Sequence, residues 1–236
     1  PQIAQNLTRS GVKDIPKVCP VCGGKTEIRQ VSNAKALYCT NPECQAKHVK
    51  AFALFASRDA LNIEGLSEAT LEKFIDRGFI KEFTDIFHLD KWQEEIQTME
   101  GFGEKSYKNL IANVEKAKVT TLPKVIYALG IPGIGLANAK VICREFSGDV
   151  DLMIHATAEE LAEIQGVGEV LAGAFVTYFQ DEKHVESLKR LIAELEIPKE
   201  EESESQQIFA GVNFVITGSV EHFANRGEVK ELIESL

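Results

Sequence analysis

The chain has 236 residues, with 26 Lys/Arg against 36 Asp/Glu, a net charge of −10, 44% hydrophobic residues and five cysteines. That length supports a sizeable core, and no apolar run approaches the roughly twenty residues of a membrane span, so a membrane-spanning helix is excluded. An acidic total argues against binding a polyanion by bulk positive charge. The distribution is uneven, however: residues 1–50 carry eight Lys/Arg and three Asp/Glu, 51–120 nine and thirteen, 121–198 six and twelve, and 199–236 three and eight.

Taken from the N-terminus, the first legible element is a pair of cysteine pairs, Cys19 and Cys22, then Cys39 and Cys44, with sixteen residues between them. Two close pairs at that distance have the spacing of a tetrahedral zinc site with four thiolate ligands. Gly23 and Gly24 after the first pair, and Asn41-Pro42 within the second, supply the turns that let both sulfurs of a pair face one ion. The segment has few large apolar residues, and a structural zinc would supply the folding energy it otherwise lacks. Two disulfides are the competing reading. The single remaining Cys143 and the absence of a signal peptide favour zinc and a reducing, cytoplasmic setting. His48, four residues after Cys44, is an alternative ligand, although four cysteines already complete a structural site. Cys143, beside Val141 and Ile142, reads as a buried small apolar residue. His88, His155, His184 and His222 have no partner at ligand spacing, and Trp92 reads as a packing anchor.

Four short glycine hairpins follow, each ahead of an apolar helix: Glu64-Gly65-Leu66-Ser67, Glu100-Gly101-Phe102-Gly103, Pro132-Gly133-Ile134-Gly135 and Gln165-Gly166-Val167-Gly168. Steps of 36, 32 and 33 residues between the first glycines mark one repeated supersecondary unit. In each, an apolar plug (Leu66, Phe102, Ile134, Val167) sits between small positions, where glycines are expected to adopt turns that a Cβ would disfavour. Behind the hairpins the apolar residues keep helical spacing: Leu71, Phe74 and Ile75; Tyr107, Leu110, Ile111 and Val114; Val141, Ile142 and Phe146; Leu171, Phe175 and Tyr178. A glycine turn opening a helix presents unpaired backbone N–H groups and the positive end of the helix dipole, a combination that accepts a phosphate and reads charge rather than base identity. The candidate backbone contacts are Gly101, Gly103, Gly133, Gly135, Gly166 and Gly168, with Lys105 as the best-placed cation. Gly65 ranks last, because Ser67 stands where the other hairpins have their second glycine. The bland alternative is a helical solenoid in which glycine only turns the chain; tetratricopeptide and ankyrin signatures are absent.

Between Pro198 and Gln207 the composition turns to Glu, Ser and Gln without apolar anchors, which reads as a linker. Beyond it, Phe214-Val215-Ile216 is expected as a buried strand, Thr217-Gly218 as its turn, and Arg226 to Leu236 as an amphipathic helix carrying Val229, Leu232 and Ile233. One strand and one helix cannot close a core, and the start at Pro1 without methionine also suggests a piece of a longer protein.

These parts in this order resemble the bacterial NAD-dependent DNA ligases. The resemblance rests on Cys19-Pro20-Val21-Cys22-Gly23, the pair Cys39 and Cys44, Ala60-Leu61-Asn62-Ile63-Glu64-Gly65-Leu66, Glu100-Gly101-Phe102-Gly103-Glu104-Lys105-Ser106 and Ala128-Leu129-Gly130-Ile131-Pro132. Gly211-Val212-Asn213-Phe214-Val215-Ile216-Thr217-Gly218 is similar to the opening of that family's BRCT domain. The resemblance implies a mainly α C-terminal portion: the tail of an OB-fold at 1–14, a four-cysteine zinc finger at 15–50, four tandem helix-hairpin-helix motifs at 51–198, an acidic linker at 199–207, and an incomplete α/β BRCT start at 208–236. It implies one structural zinc ion on Cys19, Cys22, Cys39 and Cys44, nicked double-stranded DNA as partner, no membrane partner, and a monomer acting beside NAD-binding domains of the same polypeptide. The family's chemistry transfers AMP from NAD to a lysine, then to the 5′-phosphate of a nick, and the 3′-hydroxyl displaces it. The transferring lysine sits in a Lys-x-Asp-Gly motif that does not occur here, so no catalytic residue is expected in this chain, and the NAD and Mg sites are expected outside it. A different class, a non-catalytic zinc-ribbon and helix-hairpin-helix scaffold of DNA repair, fits the same motifs.

Overall fold

A computed structural model describes residues 15–31, 34–198, 214–218, 222–223 and 226–235. The expected OB-fold tail at 1–14 and acidic linker at 199–207 lie outside them. The chain divides into two units, Pro1–Ile197 and Pro198–Leu236.

The first unit opens with strands β1 (Thr26–Val31) and β2 (Ala34–Cys39), paired antiparallel with Ile28 opposite Leu37. Both of those side chains are exposed, as are Val18 and Val21, so this ribbon has no apolar core of its own. A lone two-stranded ribbon is marginal in water.

Helix α1 (Gln45–Ala56) leads out of the ribbon and begins the helical body. There follow α2 (Glu68–Asp76), a 3₁₀ segment (Phe83–Trp92), α3 (Gln93–Gln97), α4 (Glu104–Ala117), α5 (Leu122–Ala128), α6 (Leu136–Glu145), α7 (Val150–Ile154), α8 (Ala158–Glu163), α9 (Glu169–Phe179) and α10 (Glu182–Ala193). Each expected hairpin helix is present, as α2, α4, α6 and α9. Their apolar positions fall where helical spacing places them: Leu71, Phe74, Leu110, Val114, Ile142 and Phe175 are buried in one continuous core. Aromatic rings knit it together, with Phe55 stacked on Phe83 at 4.6 Å and Phe79 on the anchor Trp92 at 4.9 Å. The end of this unit is tied back by two backbone bonds, Thr120 N–H to the Glu196 carbonyl (3.2 Å) and Glu196 N–H to the Lys118 carbonyl (2.8 Å).

In the second unit, α11 (Arg226–Ser235) forms where the sequence places it. The expected strand at Phe214-Val215-Ile216 does not: residues 214–217 carry no regular structure, and Phe214 and Val215 are exposed. Strand composition does not by itself make a strand, whose N–H and C=O groups must bond those of a neighbouring strand.

Candidate nucleic-acid interface and metal centre

The four sulfurs of Cys19, Cys22, Cys39 and Cys44 lie within 4.8 Å of one another, with Cys19 to Cys44 at 3.9 Å and Cys22 to Cys39 at 3.5 Å. A tetrahedron with metal–sulfur bonds of about 2.3 Å has edges of about 3.8 Å, so the cluster has the size of a zinc site. None of these cysteines is in a disulfide. Local turns build the cluster. Cys19 N–H donates to the Gly24 carbonyl (2.7 Å), Gly23 N–H donates to the Cys19 carbonyl (2.9 Å), and Gly23 takes φ +68°. Gly24 is required by space, since a Cβ there would stand 2.9 Å from Asn41 Cβ and 3.2 Å from Cys22 Sγ.

In the second pair, Asn41 Oδ1 accepts the Glu43 N–H at 3.0 Å. The Gly24 N–H at 3.4 Å is the main influence holding the Cys22 thiol down to about 6, whereas burial pushes Cys39 up to about 11. His48 stands apart from the cluster, half exposed and 3.9 Å from Glu43. Cys143 is buried against Met153, sulfur to sulfur at 3.9 Å. His88 bonds Glu194 at 3.0 Å, His155 the Asp151 carbonyl, and His184 the Tyr178 carbonyl.

The hairpins share one geometry. Gly65, Gly101, Gly133 and Gly166 all adopt left-handed φ, at +97°, +87°, +80° and +92°. In the second to fourth hairpins the plug's N–H donates to the carbonyl three residues earlier, Phe102 to Met99, Ile134 to Ile131 and Val167 to Ile164. Leu66, Ile134 and Val167 are buried, and Phe102 leans on Phe74 at 5.7 Å. The second glycines differ from expectation. Gly103, Gly135 and Gly168 are helix N-caps with extended backbone that any residue adopts. A Cβ on Gly103 or Gly168 would meet nothing within 4 Å, and one on Gly135 only Asn138 Oδ1 at 3.8 Å. Thus only the first glycine of each hairpin is demanded by the turn. At the equivalent position Ser67 caps α2, its hydroxyl accepting the Thr70 N–H at 3.2 Å.

Charge at the helix starts also varies. Glu68 opens α2 and is held by Lys50 at 2.6 Å; Glu104 opens α4 and is held by Lys108 at 2.6 Å, an ion pair that keeps its carboxyl below the usual range. Lys105 is exposed beside them.

The hairpins come in two interlocked pairs, a relation absent from the sequence pattern. Asn113 of α4 donates to the Glu64 carbonyl of the first hairpin (3.0 Å), and Lys73 of α2 donates to the Glu100 carbonyl of the second (3.2 Å). Asn138 of α6 donates to the Gly166 carbonyl of the fourth (3.0 Å), while Leu171 of α9 lies against Gly133 of the third. Each hairpin thus rests on the helix that its partner hairpin opens.

The helix-hairpin-helix motif family matches residues 124–188, the segment holding the third and fourth hairpins. A DNA ligase of Lachnoclostridium phytofermentans is 57% identical over 99% of this chain and 36% of the relative. A DNA ligase of Ruminiclostridium cellulolyticum is 52% identical over the same shares. A third, from Thermosipho africanus, is 38% identical over 94% of the chain and 33% of its own length. The chain spans about a third of the length of these curated relatives. No helix among the described residues is long and apolar enough to cross a membrane. Identity of this extent over nearly the whole sequence, joined to the helix-hairpin-helix match and the four-cysteine cluster, places the chain in the DNA ligase family as a segment of it.

Proposed function

We propose that this chain is the C-terminal, DNA-holding portion of a bacterial NAD-dependent DNA ligase. It grips the duplex backbone on both sides of a nick while the adenylation domain, elsewhere in the polypeptide, joins 3′-hydroxyl to 5′-phosphate in replication and repair. NAD and Mg serve that domain, and no residue here is assigned a catalytic role. The enzyme would work in the cytoplasm as a monomer.

The observation that carries this reading is the second glycine. At Gly103, Gly135 and Gly168 neither backbone conformation nor packing requires glycine, and Ser67 shows that a capping side chain fits the same turn. Leaving out a side chain there keeps the first-turn amides of α4, α6 and α9 open to close approach by a phosphate. Pairing supports a duplex as the ligand. Each hairpin rests on the helix that its partner opens, so every pair offers two sets of first-turn amides, a number that suits the two strands of a duplex. A grip on phosphate alone suits an enzyme that seals nicks in any sequence.

The acidic balance of the helical body leaves affinity to backbone amides and a few cations, Lys105 among them. Binding should therefore be modest and salt-sensitive, with a log–log slope of about −0.9 per phosphate neutralised. The zinc ion, held by Cys19, Cys22, Cys39 and Cys44, would act structurally, fixing the ribbon at the start of α1, whose N-cap is Cys44.

The test is binding of the 236-residue chain to labelled nicked duplex over a salt series. Weakening with salt and indifference to sequence support the reading; binding unmoved by salt would refute it.

A further inference from the structure

The two hairpin pairs interlock in different registers. In the first pair the contact falls well along the partner helix: Lys73 is six residues past Ser67, and Leu110 and Asn113 are seven and ten past Gly103. Leu110 Cδ1 is what a Cβ on Gly65 would meet, at 3.4 Å. In the second pair the contact on each side falls three residues past the second glycine. Asn138, three past Gly135, reaches the Gly166 carbonyl, and Leu171, three past Gly168, is what a Cβ on Gly133 would meet, at 2.7 Å. Going from three to seven residues is one helical turn, about 6 Å. The third and fourth hairpins therefore sit against each other's helix starts, whereas the contacts of the first and second fall about one to two turns further along the partner helix.

Asn138 makes the side-chain hydrogen bond that joins the second pair. Its Nδ2 holds the Gly166 carbonyl at 3.0 Å, and its Oδ1 faces Gly135, 3.8 Å from where a Cβ would stand. One half-buried side chain on the helix opened by the third hairpin thus holds the fourth. The peptide unit it holds is fixed at its other end too, because the Val167 N–H donates to the Ile164 carbonyl at 2.9 Å. A trans peptide secured at both its carbonyl and its N–H has its plane set, and with it the direction of the chain entering Gly168 and α9.

Resting on the DNA-holding reading above, we propose that the third and fourth hairpins form the primary duplex grip and that Asn138 is the positioning residue that sets their spacing. Asn113, although it makes the same kind of bond, braces a pair whose contacts fall further along the partner helices, and it contributes to folding rather than to grip.

The experiment uses the 236-residue chain and a fluorescently labelled nicked duplex, with anisotropy over a salt series and thermal melting of each variant. Asn138→Ala should weaken binding about fivefold, the value of roughly one hydrogen bond, and make the salt slope shallower. Asn138→Leu, which supplies the packing of its counterpart Leu171 without the donor, should do the same while retaining the melting temperature. The losses in Asn138→Leu and Gly168→Val should fail to multiply in the double variant, since both act on one hairpin, whereas Asn113→Ala should leave affinity within about twofold. Unchanged affinity and slope in Asn138→Leu, or full multiplication with Gly168→Val, would overturn the assignment of Asn138. Failure of the unsubstituted chain to bind nicked duplex would overturn the DNA-holding reading beneath it.

Discussion

The cysteine ribbon and the helical body reach a folded state by opposite means. In the ribbon, Val18, Val21, Ile28 and Leu37 face solvent, and the inward side holds four sulfurs at the spacing of one ion. In the helical body Phe55, Phe74, Phe175 and many aliphatic neighbours are fully enclosed. Glycine records the same contrast. Gly24 is packed between Asn41 and Cys22, so the ribbon uses its glycine, whereas Gly103 and Gly168 face open space that the body does not use. One region has the ligands of a single ion where an apolar core would stand; the other has an apolar core and leaves open space at its hairpins.

The largest expected effect separates the regions outright. Cys44→Ser, or a strong chelator, should release one zinc per chain and unfold the ribbon while the helical signal in circular dichroism persists. Structural zinc contributes on the order of 10–16 kcal/mol at neutral pH, far more than the ribbon's few contacts can replace. Freshly purified protein without zinc, or a ribbon that stays folded after its removal, would break the comparison.

Within the body, the first and second glycines should behave differently. Gly133→Val forces a β-branched residue into left-handed φ against Leu171 and should cost about 1–3 kcal/mol, read as a lower melting temperature. Gly168→Val meets neither obstacle and should lose DNA affinity with less than about 1 kcal/mol of stability lost. Equal melting losses in the two variants would erase the distinction.

Smaller effects sharpen the ranking of hairpins. Lys105→Ala should weaken binding in every sequence equally and reduce the salt slope by about 0.9, as loss of one phosphate contact requires. The smallest effect concerns pH. The N–H and hydroxyl of Thr157 bond the Glu160 carboxylate at the start of α8 and hold its pKa below the ordinary value. Its contribution is full above the unfolded carboxylate pKa and lost as pH falls through the lower folded value. Glu160→Gln should therefore flatten the acid limb of the stability curve slightly, a change visible in melting scans between neutral and acidic pH.

Much of this was legible in the sequence, for physical reasons. Cysteine spacing encodes a metal site because the ligands are local pairs, and Leu71, Phe74, Leu110 and Phe175 announce buried helix faces by their period. The hairpins are legible as repeats, but the expectation that both glycines adopt turns a Cβ would disfavour holds only for the first of each, since only φ and the surrounding space show that no turn demands Gly103, Gly135 or Gly168. The pairing of hairpins through Asn113 and Asn138 was invisible, because a single asparagine at a helical position carries no periodic signal and its partner carbonyl is 28 or 49 residues away. Phe214-Val215-Ile216 has strand composition, yet composition cannot supply the neighbouring strand that would pair with it.

Whether the second glycines admit a DNA backbone is decided by the Gly135→Val/Gly168→Val variant, compared with the unsubstituted chain for nicked-duplex affinity across salt and for melting temperature. A lower affinity and a shallower salt slope, with melting shifted only slightly, are predicted; unchanged affinity and slope would contradict the claim.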